Sequence, residues 1–387
     1  MTAPATYADA LAVAESLYAA AQAPDPIDSL AATVLAAAQA ISAASDAAGA
    51  TITNLWQSVN PYSDSAVRDF AEAAGRILIP TQRAVAQLTA GAQTAQMRAA
   101  GVQASVPTSI PDDVRSAKVV IRQDTPEIVT HRRPKSTITY NDGSTAKVSQ
   151  EASNTSRVFV RVAKDYRYTE SQSDATKAQA AAEERILRLV DGNVQVTQRL
   201  VEEAALRSPR KSGPAPIGYR RLIHPELSKG GVCGMCVIAA DRIYAIDELK
   251  AIHDRCKCTT SAVYDGYDPG QQLNGRDLSD LYDAAGGNTR DLLKRTRYTV
   301  QQHSELGPIL VPQKGSPVPY FTAGKPRAVD ATPKGQESSR SVAERHLPAL
   351  RASLKALREK GLAEDSSPVQ YHLAQIAKFE AALKKAA

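Results

Sequence analysis

All four cysteines of this 387-residue chain fall between positions 233 and 258. Two form the turn Cys233-Gly234-Met235-Cys236, and two close the later run His253-Asp254-Arg255-Cys256-Lys257-Cys258. Two thiolates on a tight turn have the bite that a tetrahedral ion requires, and Gly234 frees the backbone between them. A second pair of soft ligands completes a closed tetrahedron. His253 and Cys256 have the spacing for it, and Cys258 is also within reach. Five candidates, Cys233, Cys236, His253, Cys256 and Cys258, therefore compete for four places around one structural Zn2+. Adjacent-but-one cysteines reach a single ion only at awkward bond angles, so one of Cys256 and Cys258 is expected to be spare, with His253 and Cys256 the favoured pair. Arg255 and Lys257 partly offset the charge of a thiolate-rich site, and Met235 reads as local packing. Two disulfides suit a chain made in the cytoplasm poorly. A redox dithiol at Cys233/Cys236 would open a helix in a thioredoxin-like βαβ setting, which is absent. A catalytic zinc needs an open position, whereas surplus thiolates close this one.

The elements expected to carry these residues are mainly α with a small β insertion (α+β). Residues 1–105 read as an Ala-rich helical region, broken at Pro24 and Pro26, turning near Gly49, and bounded again at Asn60-Pro61 and Ile79-Pro80. Residues 101–115 read as a linker. The basic segment 115–170 is β-rich, with strands at Lys118–Ile121, Glu127–Thr130 and Thr137–Tyr140 and a hairpin turn at Asn141-Asp142-Gly143-Ser144. Arg157–Val162 alternates basic and apolar residues, the pattern of a strand with one cationic face. Helices at 174–190 and 194–207, separated by Asp191-Gly192-Asn193, lead into a zinc-knuckle module that ends the segment 171–265. Residues 266–340 read as extended and irregular, with short helices near 277–284 and 289–296, and with Pro308, Pro312, Pro317 and Pro319 opposing a packed domain. The C-terminal 341–387 is a helical hairpin, with Pro348 delaying its first helix and Gly361 ending it.

Charge is unevenly distributed. Residues 1–114 hold four basic side chains against ten acidic ones, which leaves 43 basic and 31 acidic residues for 115–387. The basic part invites a non-specific DNA contact through Arg132, Arg133, Lys135, Arg157, Arg161, Lys164 and Arg167 with Arg207, Arg210 and Lys211, or a contact with acidic protein patches. No uninterrupted apolar run approaches a bilayer span, and the N-terminus lacks a secretory signal pattern, so no membrane partner is expected.

The order Arg220-Arg221-Leu222-Ile223-His224-Pro225, Cys233-x-x-Cys236, Tyr244, then His253-x-x-Cys256-x-Cys258 resembles the MuF-like head morphogenesis family of tailed phages, in its actinobacteriophage form. The likeness spans residues of about 155–265, and the family's His-Pro before the last cysteines is His253-Asp254 here. The resemblance implies a structural minor capsid protein made beside the portal and major capsid genes. It would lie in the virion at the portal or head interior after assembly in the host cytoplasm, and act in head morphogenesis and DNA packaging or ejection. Its implied partners are the portal protein and the major capsid or scaffolding protein. Relatives labelled capsid maturation protease make that activity the alternative. No Ser or Cys stands in a recognisable nucleophile context, so no catalytic residue is assigned. A transferase toxin's Glu-x-Glu pair and a phosphate-binding Gly-rich loop are both missing from the sequence, and a zinc-framed nuclease would want a further catalytic His and Asn around the ion.

Overall fold

The computed structural model describes residues 26–131, 135–139, 145–149, 154–208, 210–227, 236, 239–246, 249, 256–275, 298–303, 307–312 and 339–385. These are mainly helical with a small antiparallel sheet. Two compact units form, one from 1–47, 79–132 and 191–330, the other from 48–78, 133–190 and 331–387. The five consecutive segments expected from composition do not delimit them.

Three long helices supply residues to both units: α1 (Pro26–Trp56), α2 (Asp64–Ala99) and, later in the chain, Ala175–Arg207. The expected breaks inside them do not occur, and the reason is tertiary packing. Gly49 lies within α1, where a Cβ would stand 2.8 Å from Leu187 Cδ2, so glycine serves a close approach there rather than a turn. Pro80 lies within α2 on its exposed side, where the Arg76 carbonyl that loses its backbone donor can be hydrated. Asn60-Pro61 does mark the α1–α2 boundary, with the Asn60 side chain accepting the Tyr62 backbone N–H at 2.9 Å. By length and composition α1 is apolar enough to cross a membrane, a property hidden from a search for uninterrupted apolar runs. Leu30, Val34, Ile52 and Trp56 of this helix are buried inside the protein.

In the first unit, Gly101 takes a left-handed φ of 71° and closes α2, and β1 (Gln103–Ala104) follows within the expected linker. Strands β2 (Ala117–Arg122) and β3 (Thr125–Thr130) form a tight hairpin. In the second unit β4 (Lys135–Thr139) pairs with β5 (Thr145–Ser149), while the turn expected at 141–144 lies outside the described residues. Arg157–Val162 is not a strand. It forms a 3-10 turn (Arg157–Phe159) running into α3 (Val160–Gln172). Val158, Phe159, Val162 and Ala163 repeat at helical spacing and bury in the second unit's core with Trp56, Phe70 and Leu78, and that burial overrides their β preference.

Helix α4 (Ala175–Arg207) is continuous through Asp191-Gly192-Asn193. Those side chains are taken up by tertiary partners: Ser45 Oγ donates to Asp191 at 2.6 Å and Gln82 Nε2 to Asn193 at 3.3 Å. Strand β6 (Arg210–Ser212) pairs with β1. The central strand β7 (Pro216–Leu222) of the first unit's sheet lies between β8 (Ile243–Tyr244) and β9 (Thr259–Tyr264), both antiparallel to it. The segment expected to be irregular contains a further hairpin, β10 (Tyr298–His303) with β11 (Gly307–Pro312). Pro308 and Pro312 are tolerated there because, among the described residues, each strand pairs along one edge only. The short helices expected near 277–284 and 289–296 lie outside the described residues. The C-terminal hairpin is α5 (Ser339–Glu359) and α6 (Ser367–Lys385). Pro348 sits inside α5 instead of delaying it, and Gly361 at φ 78° caps its end.

Candidate metal centre

Cys236, Cys256 and Cys258 meet in the first unit with their sulfur atoms all within 4.8 Å of one another, and all three are buried. Cys236 Sγ and Cys256 Sγ are 3.6 Å apart. Two thiolates on one tetrahedral zinc stand about 3.8 Å apart, given zinc–sulfur bonds of about 2.3 Å. The cluster therefore has the donor type and spacing of three corners of such a site. Cys233 and His253, the remaining candidates, lie outside the described residues.

The local chain explains the placement. Cys256-Lys257-Cys258 runs directly into β9, and residues two apart on an extended chain face the same side. Cys256 and Cys258 are buried accordingly, while Lys257 turns to Asp191 at 3.4 Å. Alternation thus brings both cysteines to Cys236, where the expectation from bond angles left one of them spare. Cys236 comes from a helical residue between β7 and β8.

Sequence reasoning missed the polar frame beneath the thiols. The Cys258 carbonyl accepts hydrogen bonds from Arg199 Nη2 at 2.6 Å and Gln198 Nε2 at 3.4 Å. Arg199 pairs with Glu202, whose Oε1 also accepts the Thr260 backbone N–H at 3.1 Å. Gln93 and Gln96 of α2 donate to the Thr260 carbonyl at 2.8 and 3.3 Å. Burial works against the Arg199 charge, yet Glu202, Cys256 and Cys258 hold its pKa above the ordinary guanidinium value. A hydrogen bond with Cys236 lowers the Cys258 thiol, but its bond with Cys256, burial and the Cys256 charge prevail and push it well above the usual range. A buried thiol that resists ionising beside two others is what a divalent cation would stabilise as a thiolate. The one sign available in sequence was the i, i+3 spacing of Arg199 and Glu202, which on a helix more often marks a solvated pair.

Beside the cluster, His224 Nε2 lies 2.9 Å from Thr259 Oγ1 and His224 Nδ1 lies 3.3 Å from Glu226. Partial burial raises the Glu226 carboxyl, but its hydrogen bond with His224, a backbone hydrogen bond and the His224 charge together outweigh this, and the net is a lowered pKa. Arg220 is held by Asp268 at 2.6 Å and donates to the Ala240 carbonyl at 3.1 Å. Asn274 caps the end of β7, accepting the Ile223 N–H and donating to the Arg221 carbonyl. The cavity next to Cys256, lined by Ile41, Asp191, Gln198 and Lys257 among others, has room for ≈ 20 Å³, the scale of a single water and far below that of a substrate. No family model matches the chain, and comparison with curated proteins and with solved structures returned no match.

Proposed function

We propose that this chain is a structural minor capsid protein of a tailed phage, of the MuF-like kind, whose central module is held together by one Zn2+. The observation that carries the structural reading is the closed character of the thiol cluster among the described residues: the three thiols are buried, their frame is hydrogen-bonded, and the cavity those residues form beside Cys256 is too small for a substrate. Cys236, Cys256 and Cys258 would hold the ion, with Cys233 or His253 as the fourth ligand. A bound zinc would supply a cross-link between Cys236 and the start of β9, since structural zinc binding and folding are one free energy. The phage assignment rests on the motif order from Arg220 to Cys258. Its partners would be the portal protein and the major capsid or scaffolding protein, in the host cytoplasm during assembly and then in the virion. Mass spectrometry of purified particles tests this: the chain is expected at full length and in few copies, and its absence from particles would overturn the reading.

A second reading, capsid maturation protease, has one observation in its favour. Thr259, His224 and Glu226 stand in the order of a nucleophile, base and orienting acid. Against it, Thr259 is only 8% exposed at the start of a sheet strand. Thr259→Val separates the two: normal head-protein processing in phage carrying it supports the structural reading, whereas loss of processing with intact folding supports the protease.

A further inference from the structure

The 3-10 turn and α3 carry Arg157, Arg161, Lys164 and Tyr168 at successive spacings of four, three and four, which align them along one face. The opposite face buries Val158, Phe159, Val162 and Ala163. Arg157 and Lys164 are exposed, and Tyr168 is 61% exposed, an unusual state for so large a side chain. The acidic residues of the same helix are otherwise engaged: Asp165 pairs with Arg185 at 3.3 Å, and Glu170 accepts the Tyr62 hydroxyl. Arg167 is turned inward, its guanidinium 4.0 Å from the Tyr371 ring centroid. Desolvation by the surrounding protein lowers the Lys164 pKa, and the charges of Arg161 and Arg167 lower it further. Like charges are therefore crowded along the stripe, and a polyanion laid against it would relieve their repulsion.

We propose that this face of α3 binds the sugar–phosphate backbone of duplex DNA without reading its sequence. At 1.5 Å per residue, Arg157 to Lys164 spans about 10 Å of helix. Duplex DNA offers a phosphate every 1.7 Å or so of its axis, so several phosphates lie opposite three cations. Tyr168 ends the stripe with a hydroxyl that donates to a further phosphate oxygen. The linear array favours a rod of regular charge over the sparser carboxylates of an acidic protein surface. This inference stands apart from the head-protein reading, because it is measured on the purified chain.

The test uses the full-length, zinc-supplemented protein and a fluorescent 20-base-pair duplex, with anisotropy read from about 50 to 200 mM salt. The double variant Arg157→Ala/Lys164→Ala is expected to reduce the slope of log affinity against log salt by about 1.8, two phosphate contacts at 0.9 each, and to weaken binding about tenfold at the lowest salt. Tyr168→Phe should lower affinity severalfold and leave the slope alone. Lys378→Ala/Lys384→Ala removes two exposed charges from α6 and should change neither. An unchanged slope in the α3 variant overturns the proposal. So does displacement of the duplex by poly-glutamate at equal charge concentration, which would assign the face to an acidic protein.

Discussion

Cys256 and Cys258 flank a lysine that faces away from them, and this simple alternation makes both available to one ion. Serine at either position is therefore expected to abolish stoichiometric metal, as serine at Cys236 should, when zinc is measured by elemental analysis of purified protein. A full complement of zinc in Cys256→Ser or Cys258→Ser would return that residue to the spare role. Arg199 and Glu202 invite a second measurement. The pair is buried, with side chains 8% and 1% exposed, so Glu202→Ala leaves a cation uncompensated beneath the thiols. A loss of about 3–5 kcal/mol is expected by urea denaturation. A loss under about 1 kcal/mol would mean that the guanidinium finds another partner. The thiols were legible in the sequence because few residue types ligate zinc and their spacing is restrictive. Arg199 and Glu202 were not, because a polar pair one turn apart is commonplace on helices. Only the arrival of the Cys258 carbonyl and the Thr260 amide, some sixty positions away, gives the pair its role.

Helices were legible as helices, but their ends were not always so. Where capping chemistry is local, sequence and structure agree, as at Gly361, whose N–H bonds the Arg358 carbonyl at 2.9 Å while that of Leu362 bonds Leu357 at 3.3 Å. Where a breaker-like residue answers a distant neighbour, local reading fails, as at Gly49 and Asp191. Gly75 belongs to the second kind: a Cβ there would stand 2.7 Å from Ser156 Cβ and 2.0 Å from its Oγ. Gly75→Ala should cost about 1–3 kcal/mol through overpacking, and Ser156→Gly should recover part of it. Additive losses in that pair would show the strain to lie elsewhere. The C-terminal hairpin is fastened to α3 by Lys360, whose ammonium donates to the Glu170 carbonyl at 2.6 Å, and by Arg167 against Tyr371. His372 lies beside Tyr371, its pKa lowered first by burial and also by the Arg167 charge. The unfolded chain takes up a proton near pH 6.5 that the folded one resists, so this group's stabilisation is present above that value and lost as pH falls through it. Protection factors of the amides in α5 and α6, that is, exchange corrected for its slower intrinsic chemistry at lower pH, should fall from pH 7 to 5, and His372→Gln should flatten the dependence. An unaltered slope in that variant would place the pH response in another group.

On the scale of the whole molecule, composition foretold a helical protein with a minor sheet, but not which stretches belong together. Each compact unit gathers three separated lengths of chain, and no local property of residues 48–78 announces their companionship with 331–387. The same interleaving touches the metal cluster. Leu222 and Thr259 are register partners in β7 and β9, with a long excursion between them that contains Cys236. A metal that ties Cys236 to Cys256 and Cys258 short-circuits this excursion before any strand pairing exists. The loop left to close is then less than half its former length, which lowers the entropic cost of closure by about 0.6 kcal/mol or a little more. Zinc would in that case act on the clock of folding as well as on its endpoint. In stopped-flow refolding, about threefold faster formation of the β7–β9 pairing is expected with zinc present from the start than with zinc added afterwards.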